Sequence, residues 1–228
     1  MSDIQPPPVV SSGNPWERRT ELGFGTGLIE TVKLFITQPT AAFAQTRERG
    51  DFASPLIFGV LVAWAAAIVG EIWRVIFGTS MLAMFGGSHL GEQLAPMLAL
   101  SGVGLVFQII LAPIFIFIAL FIWSGILHLS VLLVGAAKQS PSGFEGTFRA
   151  VSYSAVAQLA QIIPFVGGLI AFVWGIILLV IGLVRMHKTT QGRSLAAVLL
   201  PMVLCCVLVG LFVSLGVAAA IFAGAHSH

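Results

Sequence analysis

Glu71, Arg74, Gln108, His128, Arg149, Tyr153, Gln158 and Gln161 are polar side chains set inside stretches that are otherwise apolar. A charge placed mid-helix in hydrocarbon costs about 2.5–3.5 kcal/mol on insertion scales, so each such group needs a partner or a purpose. Glu71 and Arg74 are three residues apart, a spacing that brings an acid and a base together on one helix face. They could gate a membrane mouth; the plainer expectation is an interfacial ion pair, with the arginine reaching toward the headgroups. Arg149, Tyr153, Ala157, Ala160 and Gln161 share one helical face, with Gln158 beside it. Tyr153, the only tyrosine, lies about 6 Å beyond Arg149 by helical rise. Gln158 and Gln161 must find hydrogen-bond partners away from water, and Gln108 or Ser101 could supply them. That face reads either as the lining of a solute path or as bonding between helices, typically worth only about 0.6 kcal/mol per pair.

His128 could titrate near neutral pH, but a lone histidine without a second ligand is expected to pack. His226 and His228 offer two ligands without a third, a poor metal site. The sequence contains no HExxH, GxSxG, Walker loop or carboxylate pair. Gly23, Gly25 and Gly27 give GxGxG with no strand before it, which is chance. Cys205 and Cys206 are neighbours in an apolar run and are read as small fillers. The expectation is therefore a protein that is not an enzyme, with no cofactor and no metal. A net charge of +2 makes no case for nucleic acid.

The elements that must position these groups follow from composition. Hydrophobic residues make up 57% of the chain and charged ones 9%, with a mean hydropathy of +1.01. That is too little charge to cover a soluble surface, and the apolar runs exceed the roughly 18 residues that mark a membrane span. We expect an all-α, polytopic membrane protein. Residues 1–26, rich in Pro, Ser and Gly at the start, read as a disordered cytosolic tail, with Trp16 a possible interfacial anchor. Residues 27–54 read as amphipathic interfacial helices: Leu28, Ile29, Val32, Phe35 and Ile36 recur at helical spacing, and Thr37 could cap the second helix. Residues 55–222 read as a five-helix transmembrane domain with spans at 55–77, 97–134, 147–163, 165–184 and 195–222. Residues 223–228 form a short external tail. The run 97–134 is either one helix kinked at Pro113 or two pieces broken there.

Residues 147–188 form the organising hairpin, two spans joined by a short turn at 164–168. Charge placement selects five spans over six. Arg18, Arg19, Lys33, Arg47 and Arg49 precede the first span, and 78–96 holds no Lys or Arg. Lys138, Arg149, Arg185, Lys188 and Arg193 flank the later turns. Five spans with the N-terminus inside put all ten on the cytoplasmic side and leave Arg74 near the outer face. In the last span Gly216, Ala220 and Gly224 recur every four residues, a pattern that lets helices approach closely. It suits a seam between copies, or packing within the chain.

Three stretches carry a family resemblance. They are LFITQPTAAFAQTRERGDFASPLIFGV, then HLSVLLVGAAKQSPSGFEGTFRAVSYSAVAQLAQIIPFVGG, then GIILLVIGLVRMHKTTQGRSLAAVLLP. In this order they resemble the YIP domain of Ypt/Rab-interacting membrane proteins in its bacterial form, over about residues 28–215. The resemblance implies five spans and a cytosolic N-terminus. Eukaryotic members act in vesicle traffic, membrane shaping and Rab binding, but their DLYGP motif is missing here. The expected function is a non-enzymatic inner-membrane protein that organises or shapes membrane. Its expected partners are the lipid bilayer and either a second copy or another membrane protein. A channel or small-solute transporter is the alternative, and the C-terminus is expected outside.

Overall fold

In the computed structural model, residues 13–85, 101–138 and 140–225 are described. Three short helices come first: α1 (Arg19–Leu22), α2 (Phe24–Thr37) and α3 (Pro39–Gln45). Two long ones follow, α4 (Ala53–Phe85) and α5 (Ser101–Leu133). Then α6 (Gly143–Ser154) runs directly into a 3-10 stretch, Ala155–Ile162. The chain closes with α7 (Gly167–His187) and α8 (Gln191–Ala225).

Four segments are long and apolar enough to cross a membrane: Ala53–Gly78, Gly104–Leu133, Gly167–His187 and Gln191–Leu215. Their sides carry exposed Val, Ile, Leu and Phe, as lipid-facing helices must. The expected third span, 147–163, is not among them. It is divided where α-helical bonding ends at Ser154 and 3-10 bonding takes over. Within this composite element every residue from Gly146 to Ala157 is buried between α4, α5 and α7, while Gln158 and Ile162 at its far end are exposed. Pro113 interrupts nothing: α5 passes through it without a break. Residues 97–100, where that run was expected to begin, lie outside the described residues.

The N-terminal reading needs correction. Residues 13–26 are not a loose tail, because Asn14, Trp16 and Glu17 are buried. Trp16 is fully enclosed rather than interfacial; its Nε1 donates to the Ser54 carbonyl at 2.7 Å and Arg19 sits 4.7 Å from its ring centroid. Residues 1–12 lie outside the described residues. In α2 the buried line is Gly27, Thr31 and Phe35, while Ile29 and Ile36 of the expected apolar face point outward. Thr37 does not cap α3; its hydroxyl turns back to the Lys33 carbonyl.

Aromatic rings fill the contact between these short helices and the bundle. Phe35 stacks on Tyr153 with 5.2 Å between centroids and 6° between planes, and Phe58 meets the same ring at 5.1 Å. Phe43 closes edge-on against Phe35 at 4.8 Å. Such pairs add about 0.5–1.5 kcal/mol each beyond the area they bury. Gly182 allows the fit, since a Cβ there would fall 2.8 Å from the Phe43 ring and 2.9 Å from Ala150 Cβ.

Candidate functional site

A dense buried polar cluster lies where the N-terminal segment meets α6. Asn14 and Glu17 are three apart and satisfy each other's backbone. Asn14 Oδ1 accepts from the Glu17 amide at 3.0 Å, and Glu17 Oε2 accepts from the Asn14 amide at 3.2 Å. This reciprocal pair has the logic of a capping box, with Pro15 where a missing N–H costs nothing. Asn14 Nδ2 also donates to Thr46 Oγ1 at 3.0 Å, tying the turn to the end of α3.

The turn aims the Glu17 carboxylate at Arg149. Arg149 Nη1 donates to Glu17 Oε1 at 2.6 Å, with both side chains 1% exposed. Arg149 Nη2 donates to the Asp51 carbonyl at 2.7 Å and to Glu145 Oε1 at 2.8 Å, and Nε reaches the same Glu145 oxygen at 3.1 Å. Glu17 Oε1 further accepts from Tyr153 Oη at 3.1 Å, and Oε2 from the Arg47 amide at 3.0 Å. Burial pushes the Glu17 carboxyl above its ordinary value of 4.5, against the opposing pull of the Arg47 amide, Arg149, the Asn14 amide and Tyr153. All three guanidinium nitrogens are engaged within the protein. Arg149 is an anchor, not a solute contact.

Two of the sequence candidates, Arg149 and Tyr153, thus meet here as the shared face implied, yet their common partner lies in the segment read as a tail. The Asn14-Pro15-Trp16-Glu17 pattern signals the local turn, though not the pairing with Arg149. The remaining candidates separate. Arg74 Nε pairs with Glu71 Oε2 at 2.5 Å, and Gln108 Nε2 donates to Glu71 Oε1 at 2.8 Å. Gln108 therefore serves α4, not the glutamines of the composite element. Gln161 is half-buried, near the place where Gly70 would carry a Cβ. Gln158 borders a mostly apolar cavity of about 540 Å³ that Ala63, Leu120, Trp123 and Met202 also line.

His128 is not alone. Its Nδ1 lies 2.8 Å from Thr147 Oγ1, which lies 2.9 Å from His187 Nε2, and His187 Nδ1 reaches Ser140 Oγ at 2.7 Å. The chain of contacts joins α5, α6 and α7 at the end of the bundle that carries Arg149. Among the described residues, no three His, Cys, Asp or Glu side chains gather to hold a metal ion. His226 and His228 lie outside the described residues. The surroundings of Gly216, Ala220 and Gly224 are not described either, although their backbone continues α8.

With this geometry in place, comparison with known proteins decides the family. A family model described as the Yip1 domain matches residues 33–214, well over half of the chain. The chain belongs to the Yip1 domain family. No curated protein and no solved structure matches it. The Yip1 match covers Arg149, Tyr153 and Glu145 but begins after Glu17, so the buried ion pair joins the domain to the segment preceding it.

Proposed function

We propose that this Yip1-domain protein is a five-crossing, non-enzymatic inner-membrane protein. In this reading it organises membrane by binding a partner or a second copy, and its N-terminal segment is locked to the bundle as a rigid cytoplasmic platform. The buried Glu17–Arg149 pair carries the proposal, because it commits a rare charged contact to holding residues 13–51 against α6. A free tail would not repay desolvating two charges.

Support for a fifth crossing comes from levels along α4. Arg149 sits beside Asp51, Tyr153 beside Phe58, Gln161 beside Gly70, and Phe165 4.7 Å from Phe77. From the start of α4 at residue 53 to residue 70 is about 26 Å of helical rise, approaching the roughly 30 Å of a hydrocarbon core. Between the same levels, residues 149 to 161, the composite element rises about 21 Å, and its 12 α-helical and 8 3-10 residues extend about 34 Å in all. The ten Lys and Arg residues weighed from the sequence then flank the inner ends of the spans, with the C-terminus external.

The transporter reading needs its polar groups on one passage. They fall instead into the Arg149 cluster, the Glu71–Gln108 pair and the apolar cavity at Gln158. The deciding experiment reconstitutes the protein in nanodiscs for mass measurement and in liposomes for flux. A discrete oligomer or a co-purifying membrane protein without flux is the expected result. A strictly monomeric, partnerless protein, or one that conducts, would overturn the reading.

A further inference from the structure

At the end of the bundle that carries Arg149, α3 and the last two turns of α7 enclose a cavity of about 620 Å³. Its inner wall is Val180, Ile181 and Val184, and its rim is Arg185, Lys188 and Thr189. The wall precedes the rim on α7, so the opening grades from apolar to cationic over about 12 Å, from residue 180 to 188. Among the described residues, two rim atoms that are out of solvent, Arg185 Nε and Thr189 Oγ1, have no hydrogen-bond partner. A buried donor left so costs about 1–3 kcal/mol.

Among the described residues, the two rim cations have Glu48 as their shared acidic partner. Lys188 Nζ contacts Glu48 Oε1, Arg185 Nη1 lies 3.9 Å from the same oxygen, and Arg185 Nη2 reaches the Ala44 carbonyl at 3.5 Å. Two cations thus share one carboxylate oxygen, and the guanidinium contacts are long. A phosphate offers several acceptor oxygens in the geometry that a guanidinium and an ammonium favour. Basic pockets between membrane helices suit lipid headgroups for this reason.

We propose that this cavity binds an anionic phospholipid, with its phosphate between Arg185 and Lys188 in place of Glu48 and an acyl chain along Val180, Ile181 and Val184. Arg185 Nη1 and Lys188 Nζ, on side chains about two-fifths exposed, supply the donors. The phosphate chemistry is shared with free inorganic phosphate, and the apolar wall selects the lipid. The inference requires only that the chain resides in a membrane, so it stands or falls apart from the partner reading above.

The test is native mass spectrometry of the full chain from nanodiscs of phosphatidylglycerol or phosphatidylcholine, counting retained lipid. Wild type should retain phosphatidylglycerol in preference, and Arg185→Gln with Lys188→Gln should weaken it about thirtyfold, at roughly one interfacial contact per basic residue. Glu48→Gln, which removes the competing carboxylate, should tighten it several-fold. That variant carries the test alone if the double variant does not fold. Equal retention of both lipids overturns the proposal, as does unchanged binding in the double variant. So does a weaker or unchanged Glu48→Gln, which would make the cations mere partners of Glu48. Displacement of phosphatidylglycerol by inorganic phosphate would also overturn it, in favour of a free-anion site.

Discussion

Replacing Arg149 with leucine tests how much of the N-terminal platform hangs on one side chain. The substitution removes hydrogen bonds to Glu17, Glu145 and the Asp51 carbonyl. Glu145 has a side chain 17% exposed and can turn to water, so its loss is small. Glu17 cannot. It keeps the Arg47 and Asn14 amides and Tyr153 Oη, but its charge stays buried without a counterion. Breaking a buried pair from one side in this way costs about 3–5 kcal/mol. The strain should appear first in the segment the pair holds, as local opening of residues 13–51. Hydrogen exchange there should accelerate roughly 10²- to 10³-fold at a tenfold change per 1.4 kcal/mol, while α5 and α8 change little. Arg149→Lys should recover only part, since an ammonium cannot hold three acceptors in the fork geometry. In a Glu17→Gln background the Arg149→Leu penalty should fall by more than 1 kcal/mol, because no orphaned charge remains. If exchange in 13–51 stays at the wild-type rate, the ion pair does not hold the segment and the reasoning fails.

Glu17→Gln also has a pH signature. Burial raises the Glu17 pKa in the folded protein above its ordinary 4.5, so its titration favours the folded state most below that value and loses that contribution as pH rises through the folded pKa. The thermal midpoint of Glu17→Gln relative to wild type should therefore climb over that window; a flat or falling difference contradicts it. Gly182→Val should cost about 1–3 kcal/mol through overlap with Phe43 and Ala150, read as a lower unfolding midpoint in detergent. Thr147→Val should cost about 1–3 kcal/mol, chiefly by orphaning Nε2 of the buried His187, whereas Thr147→Ser should restore most of it; equal loss in both would mean the methyl, not the hydroxyl, matters.

Local signals were legible and distant ones were not. The apolar runs near 55–77 and 165–184 appear as membrane-length helices because hydropathy is a property of neighbouring residues. The Glu71–Arg74 pair followed from its three-residue spacing alone. The split of 147–163 into α and 3-10 parts was not visible, since no Gly or Pro marks residue 155. Trp16 went astray for another reason. A tryptophan beside arginines has the composition of an interfacial anchor, and only Thr31, Ser54 and Phe58 closing around it make it core.

By itself, then, the sequence determined an all-helical membrane chain, and its resemblance to the YIP domain pointed to the family. It also determined that the recognised catalytic motifs are missing from the chain. These follow from composition, periodicity and spacing within one helix, which do not depend on how helices meet. The tertiary structure alone decided that Glu17 answers Arg149, that Gln108 answers Glu71, and that Thr147 stands between two histidines. Arg149 and its carboxylate are 132 residues apart, and nothing in either neighbourhood encodes the other. Their pairing follows from α2 folding back onto Tyr153 of α6 and α3 onto α7, which brings the Glu17 carboxylate to Arg149 Nη1.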